Sequence, residues 1–189
     1  MIRAVPIFIA LCLAAPAAAQ PRLVAADGEP VTWGRDLVAE PLVYFYGDNI
    51  EADQRAAVEI ALHRWQRATG ATLAIPYSPG VVGGLDVMID ADRLSVLPDD
   101  LAWDADVEGQ IEHVAIFSSR SAPSLVLSAV LLLDSSLDRA EAIGPALHAW
   151  GHVLGLDDTD DERSVMTSHA AGHVAPTPAD AAAVMEACR

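Results

Sequence analysis

The chain has 189 residues, a length typical of a single domain that buries a substantial hydrophobic core. Its net charge is -16, with 27 acidic residues against 11 arginines and no lysine, which argues against binding nucleic acid or an anionic membrane surface through bulk charge. Apolar residues make up 52% of the sequence, so a disordered acidic tail is excluded as well.

The first 19 residues have the form of a secretory signal peptide. Arg3 provides the positive start, an apolar run follows over 4–15, and Ala17 and Ala19 are the small residues of a cleavage site. The apolar run is too short to span a bilayer, and a buried N-terminal helix is the alternative interpretation. We therefore predict a secreted or periplasmic protein that starts at Gln20 and has no membrane attachment once the leader is removed.

The rest of the chain is interpreted as an N-terminal arm over 20–40 and a single α+β domain over 41–189, because neither a repeat nor a linker divides it. After removal of the leader, Cys188 is the only cysteine, so no internal disulfide can form. A lone thiol in an oxidising compartment either stays free or pairs between chains.

The first half of the domain predicts one strand, one helix and further strands. Residues 41–46 are rich in strand-forming side chains, and residues 52–68 show an apolar stripe at helical spacing that ends before Gly70. The stripe consists of Val58, Ala61, Leu62 and Trp65. Gly, Pro and Ser clusters separate four more predicted strands, at 71–77, 85–89, 113–117 and 125–133.

An acid-rich loop over 98–109 lies between two of these strands. Its acids are Asp99, Asp100, Asp104, Asp106 and Glu108. We interpret it as a solvated surface loop. A structural Ca²⁺ site is the alternative, because hard cations bind several oxygen ligands, although the spacing fits no EF-hand.

A second long helix is predicted over 138–154, with Pro145 inside its span. Proline removes a helical hydrogen bond, so this helix is either kinked at Pro145 or begins there, where proline is favourable. Both alternatives keep His148 and His152 helical. A last helix is predicted over 178–187, with Thr177 as its cap.

The segment 148–158 contains candidate metal ligands. His148 and His152 are four residues apart, so they lie on one helix face and can bind the same ion. Gly155 is suited to the left-handed residue that ends a helix, and a turn there would bring Asp158 toward the ion. The structural alternatives are two packed histidines and a solvated aspartate.

Together with Met166, these residues resemble the metzincins, and most closely the matrixin-like zinc peptidases. The motif of that family is HExxHxxGxxH or HExxHxxGxxD, followed by a turn with a methionine beneath the metal. The matching positions are His148, His152, Gly155, Asp158 and Met166. The resemblance implies that Zn²⁺ is bound by the two histidines and Asp158, and that a polypeptide substrate or protein ligand occupies the cleft.

The resemblance extends over 41–189 and implies a metzincin-like, or zincin, domain. Such a domain has a twisted, mainly parallel sheet with an antiparallel edge strand, two long helices and a C-terminal helix. Trp65 in the first helix also resembles the family. So does the end of the strand over 125–133, which we take as the edge strand.

One position departs from the family. Its catalytic Glu directly follows the first histidine, and here that position is Ala149. The Glu acts as a general base, a role typically worth 10²–10⁴-fold in rate. The resemblance therefore implies a zinc-binding protein with impaired peptidase activity, a pseudopeptidase. It also implies an open cleft at position 149, where Glu should be accepted and should raise peptide hydrolysis by roughly 10²-fold.

Three alternatives remain open from the sequence. The chain is an active zinc endopeptidase if another carboxylate, such as Asp157, replaces the missing base. Two histidines and one carboxylate also suit non-haem iron, and a metal-free structural module is the third alternative. His169 and His173 form a second pair at helical spacing, and we interpret them as loop residues.

Overall fold

The computed structural model describes residues 20–26, 28–48, 50–79, 85–91, 112–167 and 172–189. In these ranges a five-stranded mixed sheet is combined with three helices, which confirms the predicted α+β class. The predicted signal peptide, the acid-rich loop 98–109 and His169 lie outside the described residues. The elements are β1 (Leu42–Tyr46), α1 (Ala52–Thr69), β2 (Ala74–Pro76), β3 (Val87–Ala91), β4 (Glu112–Ser119), β5 (Ala122–Leu133), α2 (Arg139–Val153) and α3 (Pro178–Ala187).

The strands lie in the order β2-β1-β3-β5-β4. The pairs β1–β2, β1–β3 and β3–β5 are parallel and β4–β5 is antiparallel, so a mainly parallel sheet with an antiparallel edge is confirmed. The prediction that the strand over 125–133 forms the edge is wrong. β5 lies between β3 and β4 and pairs with both, with its apolar end Leu131, Leu132 and Leu133 buried, while the less apolar β4 takes the edge.

Helix α1 follows its predicted pattern. The side chains of Val58, Ala61, Leu62 and Trp65 are all buried, and Gly70 ends the helix in the left-handed conformation with φ 70°. The indole Nε1 of Trp65 donates to the carbonyl oxygen of Leu147 at 2.9 Å. This buried hydrogen bond attaches α1 to the helix that carries the two histidines.

Helix α2 is continuous from Arg139 to Val153, with Pro145 inside it. Its start is set by Asp138, whose side chain accepts from the backbone N–H groups of Ala140 and Glu141. The alternative in which the helix begins at Pro145 is therefore not observed. No helix in the described part of the chain is long and apolar enough to cross a membrane.

The N-terminal arm over 20–40 is packed into the domain rather than merely leading into it. Trp33 and Leu37 are buried core residues, and the backbone N–H of Leu37 donates to the carbonyl oxygen of Cys188 at 2.9 Å. Cys188 is a free cysteine that is 1% exposed, and burial raises the pKa of its thiol to about 12. A thiol this buried is poorly accessible to a second chain, which favours the free thiol over pairing between chains.

Candidate metal centre

The end of α2 turns the chain back as the sequence predicts. The backbone N–H of Leu156 donates to Gly151 at 3.0 Å, and that of Gly155 donates to His152 at 2.9 Å, which is the hydrogen-bond pattern of a Schellman motif. Gly155 has φ 94°, a conformation that side chains with a Cβ rarely adopt. This turn returns the chain so that Asp158 faces the helix it has just left.

Three ligand atoms converge at this turn. The Nε2 atoms of His148 and His152 are 2.8 Å apart, and Asp158 Oδ1 lies 3.1 Å from the first and 3.5 Å from the second. One ligand atom from each residue lies within 4.8 Å of the others, so the group could hold a metal ion. His148 is 6% exposed and the Asp158 side chain 60%, so the group reaches solvent on the Asp158 side.

Each imidazole is oriented through its other nitrogen. His148 Nδ1 lies 3.0 Å from the carbonyl oxygen of Val165, and His152 Nδ1 lies 2.9 Å from that of Leu156. Because a carbonyl oxygen can only accept, each Nδ1 carries a proton, and the neutral form of each ring would therefore keep its lone pair on Nε2. Two nitrogen lone pairs and a carboxylate thus face one another, an arrangement that a cation would stabilise and that fits a metal site.

The electrostatics of the group favour the protonation states that metal binding needs. Burial, and then the neighbouring His148 ring, lower the pKa of His152. The short contact with His148 lowers the pKa of Asp158, against the opposing effect of burial. Near neutral pH, His152 is therefore neutral and Asp158 is ionised, as metal ligands must be.

We expect the metal-free protein to lose stability as the pH falls below 6.5, the ordinary pKa of histidine. The folded pKa of His152 is lower than this, so the unfolded chain binds more protons in that window. The free energy of unfolding then falls until the pH reaches the folded pKa. Urea unfolding at several pH values across this window measures the effect. The free energy of unfolding of His152→Gln should change less with pH than that of the parent. Equal profiles for the two proteins would contradict it.

Met166 lies beneath the metal-site helix, in contact with Gly151. Met166 is fully buried, and a Cβ added at Gly151 would overlap its Sδ atom. The same Cβ would lie 3.0 Å from Met166 Cε and 3.3 Å from Trp65 Cζ2. Gly151 therefore allows the methionine to approach the helix backbone between the two histidines. Sequence analysis missed this residue, although a glycine in the middle of a helix is an unusual and visible signal.

Gly151→Ala is expected to destabilise the fold by about 1 kcal/mol. Overpacking against a closed core costs about 1–3 kcal/mol, and the better helix propensity of alanine offsets up to about 1 kcal/mol of this. Denaturant unfolding of Gly151→Ala, Met166→Ala and the double variant gives the coupling between the two positions. The loss caused by Gly151→Ala should disappear in the Met166→Ala background, and an undiminished loss there would contradict the contact.

A buried carboxylate holds the turn that contains Met166. Asp180 accepts from the Ser164 hydroxyl at 2.6 Å and from the Val165 backbone N–H at 3.3 Å, and Ser164 Oγ accepts from the Met166 N–H at 2.9 Å. Val165 is also the residue whose carbonyl oxygen orients His148. Asp180 therefore positions a candidate ligand, His148, through the turn. The pattern Thr177-x-x-Asp180 predicts only a helix cap, so sequence analysis missed this role.

Ala149 is 0% exposed and belongs to the hydrophobic core. The expectation of an open cleft at this position is therefore wrong. The cause is the packing of α2 against α1 and the sheet, which places Ala149 in the hydrophobic core cluster.

The other candidate residues lie outside the ligand group. Asp157 Oδ1 accepts from the backbone N–H of Asp158 at 2.9 Å, so it caps the ligand loop. His173 Nε2 lies 2.9 Å from the carbonyl oxygen of Glu162, and His63 is exposed on α1. Trp150 is buried and meets the ring of Tyr44 edge to face, so it packs α2 on the sheet.

No protein-family model matches this sequence, and no curated protein sequence matches it. The chemistry of the site therefore follows from the described residues alone. His148, His152 and Asp158 are brought together as the sequence predicts.

Proposed function

We propose that this chain is an exported zinc-binding protein of the metzincin type whose peptidase activity is impaired. One observation carries the proposal, namely the orientation of both imidazoles by backbone carbonyls, with each Nε2 directed at the Asp158 carboxylate. Two imidazole nitrogens and one carboxylate are a ligand set that zinc accepts, and the set leaves a coordination position for a ligand from solution.

Two further features support the metzincin assignment. The antiparallel edge strand on a mainly parallel sheet agrees with the architecture that the resemblance implies. Met166 packs under the helix that carries the histidines, where the family has its methionine turn. This combination of a ligand helix and a methionine turn favours zinc over non-haem iron.

Impairment follows from the absence of a suitable base. Position 149 is an alanine in the core, and Asp158 is the only acid in the ligand group among the described residues. Asp157 Oδ1 is engaged with the Asp158 N–H, which disfavours it as a substitute base. When bound, zinc would polarise a carbonyl group, but no positioned side chain of the group is left to accept a proton. The role we assign is binding of a polypeptide at the metal.

Zinc content and peptide hydrolysis, measured on one preparation, test this function. We expect about one zinc ion per chain and hydrolysis near background. Asp158→Ala should bind zinc more weakly without a change in fold, and it serves as the control for adventitious metal. Efficient hydrolysis that a chelator abolishes would favour an active peptidase instead. Iron in place of zinc, or no metal at all, would contradict the proposal.

Export is tested separately. If the first 19 residues direct export, the exported protein should begin at Gln20. Intact-mass measurement of the exported protein gives this directly, and retention of Met1 would contradict the export part of the proposal while leaving metal binding unaffected.

A further inference from the structure

Three isolated pairs of bridged residues connect the main sheet to the loop over 155–158, which contains Asp158, through the N-terminal arm. We call this loop the metal-ligand loop. Thr32 pairs with Leu125 of β5, Val24 pairs with Pro30, and Arg22 pairs with Leu156. We call residues 21–26 and 28–32 the strap. Leu156 lies between two of the three ligand residues, so the strap ends at the backbone of the metal site.

Two hydrogen bonds attach the strap to this loop. The backbone N–H of Leu23 donates to the carbonyl oxygen of Gly155, and that of Asp157 donates to Pro21, each at 3.1 Å. The bonds flank Leu156, whose own carbonyl oxygen lies 2.9 Å from His152 Nδ1. The strap therefore fixes the group that orients His152.

The same attachment fixes the third ligand from one side. Asp157 is held by the strap, and the backbone N–H of Thr159 donates to the carbonyl oxygen of Met166 at 2.9 Å. Asp158 lies between these two anchored residues. Because its side chain is 60% exposed, packing does little to place its carboxylate, and the position of the backbone decides where it lies.

The other end of the strap is joined firmly to the fold. Thr32 makes two backbone hydrogen bonds with β5, each at 2.8 Å. Its N–H donates to the carbonyl oxygen of Ser124, and its carbonyl oxygen accepts from the N–H of Val126. The strap is closed on itself by a 2.8 Å bond from the Val31 N–H to the Leu23 carbonyl oxygen. The next residue, Trp33, donates from Nε1 to the Val153 carbonyl oxygen in the last turn of α2. The strap thus holds the metal-ligand loop in a fixed position relative to the sheet.

We propose that the strap is a positioning element of the metal site, and that its attachment at Leu23 sets the metal affinity. This inference rests on the proposed metal-binding function. Groups that orient metal ligands typically contribute 10–100-fold to metal affinity. Detachment of the strap would release the loop over 155–157, so metal binding and strap attachment must stabilise each other.

The test compares two proline variants of the full-length protein. Leu23→Pro removes the N–H that donates to Gly155. Val24→Pro is the matched control, because the Val24 N–H donates no hydrogen bond to any residue in the described ranges. The dissociation constant for Zn²⁺ should rise about tenfold or more in Leu23→Pro and stay at the parent value in Val24→Pro. The visible spectrum of the Co²⁺-loaded Leu23→Pro protein should also change, which a purely structural role would not require.

Hydrogen exchange of the parent protein gives an independent measurement that needs no variant. Zn²⁺ should slow exchange of the Leu23 and Asp157 amides more than that of the Thr32 and Val126 amides at the sheet end. If Leu23→Pro folds and binds Zn²⁺ like the parent, or if Zn²⁺ leaves the Leu23 and Asp157 amides unaffected, the strap has no such role. If the parent itself binds no metal, the proposed function fails, and the inference about the strap fails with it.

Discussion

Replacing both His148 and His152 by alanine is expected to abolish zinc binding. The two Nε2 atoms are two of the three ligand atoms in the group, and the remaining carboxylate of Asp158 is largely exposed to solvent. A single exposed carboxylate does not compete with water for zinc. Elemental analysis after gel filtration measures the loss directly.

Thermal unfolding also measures the loss of zinc binding, because bound zinc stabilises the folded protein. A ligand that binds only the folded state stabilises it by about 4 kcal/mol at a free concentration of a thousand times its dissociation constant. The parent should therefore gain stability with added zinc, while the double variant should gain none. The matched control replaces two histidines outside the ligand group, His63 and His173, and should keep the zinc-dependent gain. Equal zinc in the double variant and the parent would place the site elsewhere.

Ala149→Glu is expected to destabilise the fold by about 3 kcal/mol or more at neutral pH. The position is fully buried in the hydrophobic core, and an ionised carboxylate there loses its hydration without a charged partner. We expect peptide hydrolysis to stay at the level of the parent, because a carboxylate held in the core does not reach the ligand atoms. Denaturant unfolding and a peptidase assay at matched zinc occupancy measure the two effects.

The control for charge is Ala149→Gln, which has nearly the same volume. Burial raises the pKa of a carboxyl group, so the destabilisation caused by the introduced carboxyl group is absent below the ordinary pKa of Glu, about 4.3, and develops as the pH rises through its folded pKa. The difference between the two variants should therefore be small in acid and large at neutral pH. A rise in hydrolysis of about 10²-fold with unchanged stability would show instead that position 149 opens onto the site.

Local patterns in the sequence were sufficient to predict the helices and the candidate ligand group. The apolar stripe through Trp65 predicts α1 and its buried face, and both are observed. The four-residue spacing of His148 and His152 places both rings on one face of α2, and Gly155 predicts the turn that returns Asp158 to them. These features depend on the helical repeat and on the conformational freedom of glycine, which act within a few residues.

The strand order and the surroundings of the site were decided by contacts distant in sequence. Sequence analysis predicted a strand over 125–133 but placed it at the edge, because a run of apolar residues does not reveal how many neighbours a strand has. The burial of Ala149 and the approach of Met166 to Gly151 depend on how α2 packs on α1 and the sheet. No local pattern encodes that packing, because it depends on the shapes of side chains from several elements at once.

The attachment of the strap and the orientation of the imidazoles also depend on contacts between residues distant in sequence. Leu23 pairs with Gly155, and His148 lies against the carbonyl oxygen of Val165, through backbone groups that every residue type possesses. Backbone hydrogen bonds of this kind leave no trace in residue identity, so the sequence predicted the three candidate ligand side chains but not what orients them. Tertiary structure decides their orientation, because it alone brings these carbonyl and N–H groups within hydrogen-bonding distance.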